Sequence, residues 1–156
     1  MKEKIEGVKV LASNRKARHD YIIEDSIEAG VVLTGTEIKS LRAGRANLQD
    51  SFAVIRNGEA WLVGAHISPY THGNRENHEP RRERKLLMHR NEIARLHAKI
   101  KEKGWTLIPL EIHLRDGRAK VEIGLARGKK LYDKRESIAK HDYDREMRRA
   151  LKDMLH

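Results

Sequence analysis

The residues in this sequence whose types and spacing could do chemistry are its histidines and a few isolated acids and lysines. Nine histidines are present, and His66, His72 and His78 recur every six residues. Six matches neither the 3.6-residue period of a helix nor the two-residue period of a strand, and it is not a spacing of the standard zinc arrangements. The histidines therefore read as solvated side chains or RNA contacts, and no metal ligand is assigned. The chain has no cysteine, which removes disulfides, thiol catalysis and zinc ribbons together. Gly124 and Gly128, with the lysines that follow, lack the Gly-x-x-x-x-Gly-Lys-Ser/Thr order of a phosphate-binding loop. No serine sits in a nucleophile elbow. Neither a catalytic residue nor a cofactor is expected.

Binding chemistry is better represented. Glu28 lies in an acidic stretch, Glu24-Asp25-Ser26-Ile27-Glu28, inside a strongly basic chain. Its carboxylate is either a structural ion-pair partner or an acceptor for the N–H edges of bases, a role no cation can fill. Lys120 is either a solvated strand lysine or a phosphate contact, and Leu87 is either core or an apolar platform beneath a splayed nucleotide.

The 156 residues carry a formal net charge of +10, with 36% charged and 38% hydrophobic residues. That balance favours a polyanionic partner, because neutralised phosphates release condensed counterions. Three basic segments stand out, at 15–18 (Arg15, Lys16 and Arg18), 81–85 (with Arg84 and Lys85) and 118–130. No apolar run approaches the ~20 residues of a membrane span, and the first residues lack a signal-peptide core. A cytoplasmic protein is expected.

The elements that must position these residues follow from periodicity. Residues 1–13 read as a flexible arm. Tyr21–Ile23 and Gly30–Leu33 read as two short strands around the acidic stretch. Thr34 to Glu37 has capping-box spacing, which predicts a helix over Thr36–Ala43 closed by Gly44. Ser51–Ile55 and Ala60–Ile67 flank Asn57-Gly58, a strong hairpin signal. The pleat of the second strand would place Trp61, Val63, Ala65 and Ile67 on one face. Residues 70–85 lack periodicity and read as a long loop. Ile93, Leu96 and Ile100 predict a helix over Asn91–Lys103 ended by Gly104. A second hairpin turns at Asp116-Gly117. Ile108, Leu110, Ile112 and Leu114 would face inward on one side, with Ala119, Val121, Ile123 and Leu125 on the other. His113, Arg115, Lys120 and Glu122 would face outward. These elements predict a mainly β fold, a small antiparallel barrel with two or three short flanking helices.

At Gly124–Glu136, GLARGKKLYDKRE, strand alternation gives way to dense charge. Beyond Lys140, Tyr143, Met147, Ala150, Leu151, Met154 and Leu155 form one helical stripe. So short a helix is marginal alone. The expected organisation is therefore an arm (1–13), a barrel (14–128) and a basic tail (129–156), the tail disordered when free and helical when bound.

Several blocks together resemble one family. They are Asn14-Arg-Lys-Ala-Arg-His-Asp-Tyr21, Glu28-Ala-Gly30, Leu33-Thr-Gly-Thr-Glu-Ile-Lys-Ser-Leu-Arg42 and Ala46-Asn-Leu-Gln-Asp-Ser51. His66-Ile-Ser-Pro-Tyr70, Asn77-His-Glu-Pro80, Arg84-Lys-Leu-Leu87 and Gly128-Lys-Lys-Leu-Tyr-Asp-Lys-Arg-Glu136 continue the match. In order and over about residues 8–140, these resemble the small protein B family, the SsrA-binding or tmRNA-binding proteins of bacterial trans-translation. The resemblance implies an oligonucleotide-binding-type (OB-like) barrel that binds the tRNA-like domain of tmRNA. It further implies delivery of that RNA to stalled ribosomes, with elongation factor Tu on the alanyl-tmRNA complex, and a monomer when free. Family residues on the RNA side match Asn14, Glu28, Leu87 and Lys120. Those of the tail, acting at the 16S decoding region and the vacant mRNA channel, match Gly128, Lys129, Lys130, Tyr132, Asp133, Lys134 and Arg135. An adaptor for ribosomal protein alone would account poorly for the charge, and an RNA hydrolase would cleave labelled tmRNA.

Overall fold

The computed structural model describes residues 8–70, 77–129, 145–152 and 154. In chain order the elements are β1 (Val8–Ser13), α1 (Arg15–Asp20), β2 (Tyr21–Val31), α2 (Gly35–Arg42), β3 (Ala46–Asn47) and β4 (Phe52–Arg56). They continue with β5 (Glu59–Val63), β6 (His66–Ile67), β7 (Arg84–Leu87), α3 (Arg90–Lys103), β8 (Thr106–Arg115) and β9 (Arg118–Gly128). The main sheet runs β1-β8-β4-β5-β7-β2-β9, and β9 pairs back onto β8, so the strands close into a barrel. Every pairing is antiparallel. One edge of β8 takes β9 along its length. The other is divided between β1, at Glu111–Arg115, and β4, at Leu107. Ala29, Leu62, Leu86, Leu107, Ile112, Val121 and Ile123 fill the interior.

Both expected hairpins form. Asn57 and Gly58, with φ of 52° and 74°, turn β4 into β5, and Asp116 and Gly117, with 50° and 78°, turn β8 into β9. Two consecutive left-handed residues give the turn whose twist matches that of the strands. Thr34 caps α2 through a capping box with Glu37, and Gly104 closes α3 in the left-handed conformation.

Four expectations are corrected. Residues 8–13 of the expected arm are a strand, because β1 pairs with β8 from Val8↔Arg115 to Ser13↔Glu111. The acidic stretch is no break between two strands. β2 runs unbroken through it and absorbs Glu24 as a bulge opposite β9 between Ile23 and Asp25, the usual way a strand carries an extra residue. On the β5 side, Gly64 at φ +81° ends the strand and resets its pleat. Ala60 and Leu62 are therefore buried before it and Ala65 and Ile67 after it, while Trp61 and Val63 are only half-buried. In β8 a bulge between Pro109 and Glu111 shifts the phase. Leu107 joins the central core, whereas Ile108 packs with Ala17 and Ala126 beneath α1.

Candidate nucleic-acid interface

The fold brings four of the sequence's candidates, Glu28, Lys85, Leu87 and Lys120, to one place. Gly30 on β2 lies opposite Leu87 on β7 and Lys120 on β9. Glu28, two residues before Gly30, lies opposite Glu122. Paired residues in an antiparallel sheet stand on the same face, so Glu28, Leu87 and Lys120 share the outer surface of the barrel. They line one open groove of about 500 Å³ with Gly30, Lys85, Met88, His89, Arg90 and Ile93.

Leu87 is 54% exposed, high for a large apolar residue. It lies over Gly30, where an added Cβ would stand 3.2 Å from the Leu87 Cβ. Glycine there lets the leucine lie low over the sheet as a smooth platform beside charged neighbours. Lys85 is partly engaged by Glu59 at 3.2 Å. Lys120 is half-buried, and Arg90 is exposed at the start of α3.

Glu28 is a structural ion-pair partner that keeps part of its carboxylate exposed. Its carboxylate accepts from Arg115 Nη2 at 2.8 Å, from Arg115 Nε at 3.0 and 3.1 Å, and lies 2.9 Å from His113 Nε2. The side chain remains 32% exposed to the groove. The Arg115 hydrogen bonds, aided by His113 and opposed by partial burial, hold the Glu28 carboxyl below the usual range. It is a pre-oriented anion, and a carboxylate has about four lone-pair sites, so it can accept further N–H groups from a base.

Two further candidates turn inward, and their side chains do not reach the surface. Asn14 is 4% exposed. It caps α1 by accepting from Ala17 N–H at 3.1 Å, while its Nδ2 donates to Leu48 O and Pro109 O. Arg84 is fully buried. Its Nε donates to Glu37 Oε2, and its remaining nitrogens donate to Ala65 O and Pro80 O at 2.8 and 3.1 Å. Burial alone would raise the pKa of the fully buried Glu37, but bonds from Arg82, the Thr34 N–H and Arg84 hold it below the usual range. The basic segment 81–85 thus supplies a buried tie between β7 and α2 as well as surface charge.

Arg15, Lys16 and Arg18 are exposed on α1, with Lys16 paired to Asp50 at 3.1 Å. They lie at the other end of β2. Tyr21, directly after α1, pairs with Gly128, whereas Gly30 pairs with Lys120. Eight register steps of β9 separate those positions, about 26 Å measured along the strand at 3.3 Å per residue. Lys129 is exposed where the tail begins, beside α1. The expected tail residues Lys130, Tyr132, Asp133, Lys134 and Arg135 lie outside the described residues, and 145–152 are helical and exposed.

The sequence reading missed His113, Arg115, Gly30 and Arg90 as parts of this surface. Alternation along β8 places Glu111, His113 and Arg115 on the outer face, but nothing local indicates that they reach over β9 to a carboxylate on β2. His113 is consequently only 4% exposed, not open to solvent as its outward phase suggested. Among the described residues no cluster of His, Asp and Glu is arranged to hold a metal, and no helix is long and apolar enough to cross a membrane.

Comparison with known proteins gives consistent matches. A family model described as SmpB protein matches residues 11–153. An SsrA-binding protein of Desulforudis audaxviator (strain MP104C) is 63% identical over 145 residues, covering 93% of this chain and 95% of the relative. One of Thermobifida fusca (strain YX) is 63% identical over 150 residues, covering 96% and 94%. One of Geobacter sulfurreducens is 59% identical over 147 residues, covering 94% and 96%. A chain from a solved structure described as "tmRNA-SmpB: a journey to the center of the bacterial ribosome" superposes with a TM-score of 0.66 at 50% identity. That match covers 78% of this chain and 85% of the other.

Proposed function

The chain belongs to the SmpB family, and from that premise we propose that the outer groove at the Gly30 end of β2 is where it takes tmRNA. The protein binds tmRNA and acts with the ribosome in trans-translation as an RNA-binding protein, not an enzyme. The observation that carries the placement of the site is the half-exposed Leu87 lying over Gly30, with Glu28 and Lys120 on the same groove wall. An apolar platform, an oriented carboxylate and nearby cations suit an unstacked base, its N–H edge and its phosphate.

The opposite end carries α1 and the root of the tail. Its exposed Arg15, Lys16, Arg18 and Lys129 form a second cationic surface, suited to ribosomal RNA at the decoding region, with the tail continuing into the vacant mRNA channel. One barrel would then hold two RNAs at opposite ends of its β2–β9 strand pair. In this reading the protein works in the bacterial cytoplasm, with elongation factor Tu on the alanyl-tmRNA it accompanies. Chemical footprinting of tmRNA with and without the protein tests it. Protection confined to the tRNA-like domain and needing roughly tenfold more protein on Leu87→Ala supports the groove, and protection unchanged by that substitution removes it.

A further inference from the structure

Beside the groove, Glu111 on β8, Glu122 on β9 and Glu28 on β2 are register partners on three adjacent strands. Three carboxylates therefore stand in one row, each about 4.8 Å from the next strand, and like charges directly opposite one another destabilise a sheet. Arg115 answers Glu28 from the exposed side. From the buried side the answer is His113. Its Nε2 lies 2.9 Å from Glu28 Oε2 and its Nδ1 3.2 Å from Glu111 Oε2. The Nδ1 contact is an ion-pair approach without hydrogen-bond alignment. Lys120 stands directly opposite His113 on β9, next to Glu122, and the β1 partner Val10 brings no charge.

A neutral imidazole has one N–H and one lone pair. Donating to Glu28, it would turn its lone pair toward Glu111; protonated, it attracts both carboxylates at once. We propose that His113 is a positioning residue for RNA recognition, its protonated ring clamping Glu28 in the orientation that presents the free carboxylate lone pairs to a base. This inference rests on the groove being the tmRNA site. As pH rises and the ring loses its charge, Glu28 keeps only Arg115 as a cationic partner, and the row gains a net negative charge facing phosphate. Affinity for tmRNA then falls.

The test is equilibrium binding of the tRNA-like domain of tmRNA at fixed salt from about pH 5.5 to 8, the range where histidine changes charge. It compares the native chain with His113→Gln, whose amide still donates to Glu28 but cannot titrate. The other histidines are the same in both proteins, so the difference between profiles belongs to His113. The native affinity should fall roughly fivefold more than the variant's, the worth of about 1 kcal/mol for one charge contact. Glu111→Gln is the second variant. It leaves Glu28 intact and removes one partner of the charged ring, so the native transition should move to lower pH. Superimposable profiles for the native chain and a folded His113→Gln overturn the clamp and leave the groove standing. If His113→Gln fails to fold, an unmoved transition in Glu111→Gln overturns it. No binding by the native chain at any pH overturns the functional reading and the clamp with it.

Discussion

Glu28 is a carboxylate held by ion-pair partners yet left partly exposed. Its partners Arg115 and His113 come from β8, two strands away, and fix its direction without covering it. Replacing Glu28 by Gln removes charge-assisted bonds, which are about twice as strong as neutral ones. Because exposed ion pairs contribute only ~0–1 kcal/mol to stability, tmRNA affinity should drop by more than the melting temperature does. Filter binding and thermal melting of the same sample measure both; a large fall in melting temperature with affinity retained would make Glu28 purely structural. Leu87→Ala removes apolar surface already exposed, so the fold should hold while affinity falls roughly tenfold, the worth of about 1.5 kcal/mol of lost apolar contact. Asn14 should behave in the opposite way. Its cap and its two bonds to carbonyls are internal, so Asn14→Ala should cost about 2–3 kcal/mol of stability. Urea denaturation checks that, with near-native affinity expected from the fraction still folded.

At the scale of elements, what the sequence made legible was whatever depends on neighbours in the chain. The two hairpin turns, the capping box at Thr34 and Glu37 and the glycine stop after α3 are all local chemistry, and each formed as expected. What stayed hidden depends on partners distant in sequence. The bulges at Glu24 and Leu110 exist because β2 and β8 must stay in register with β9. Arg84, read as one more cation in a loop, is buried because Glu37 lies 47 residues away in sequence and beside it in space. The groove was half visible. Glu28, Leu87 and Lys120 were identifiable as candidates, but their shared face, and the His113 and Arg115 that orient Glu28, required the register. The Glu37–Arg84 tie yields a prediction of its own. Removing one partner of a buried pair leaves an uncompensated charge, so Glu37→Gln should cost about 3–5 kcal/mol. The folded carboxyl titrates below its ordinary value near 4.5. Its contribution is thus present above the unfolded pKa and lost as pH falls through the folded one. The native chain should lose stability on acidification below about pH 4.5, and Glu37→Gln should lack that part of the dependence. Denaturation midpoints across pH 3 to 7 reveal it as a flatter curve for the variant.

For the whole molecule, the distance along β2 matters most. The groove at Gly30 and Lys120 and the cationic end at α1 and Gly128 lie at opposite ends of one continuous strand pair. Binding at the groove should be salt-dependent, with about three phosphates neutralised by Lys85, Arg90 and Lys120 giving a log–log slope of roughly −2 to −3. Among the described residues, β1–β9 and α1–α3 all lie within residues 8–128. The most direct test of the two-ended account compares the full chain with residues 1–128 in two assays, affinity for the tRNA-like domain of tmRNA and peptide tagging on stalled ribosomes. The account predicts affinity within a few fold for the shortened chain and no tagging. Loss of tmRNA affinity on removing the tail, or normal tagging without it, would contradict the account.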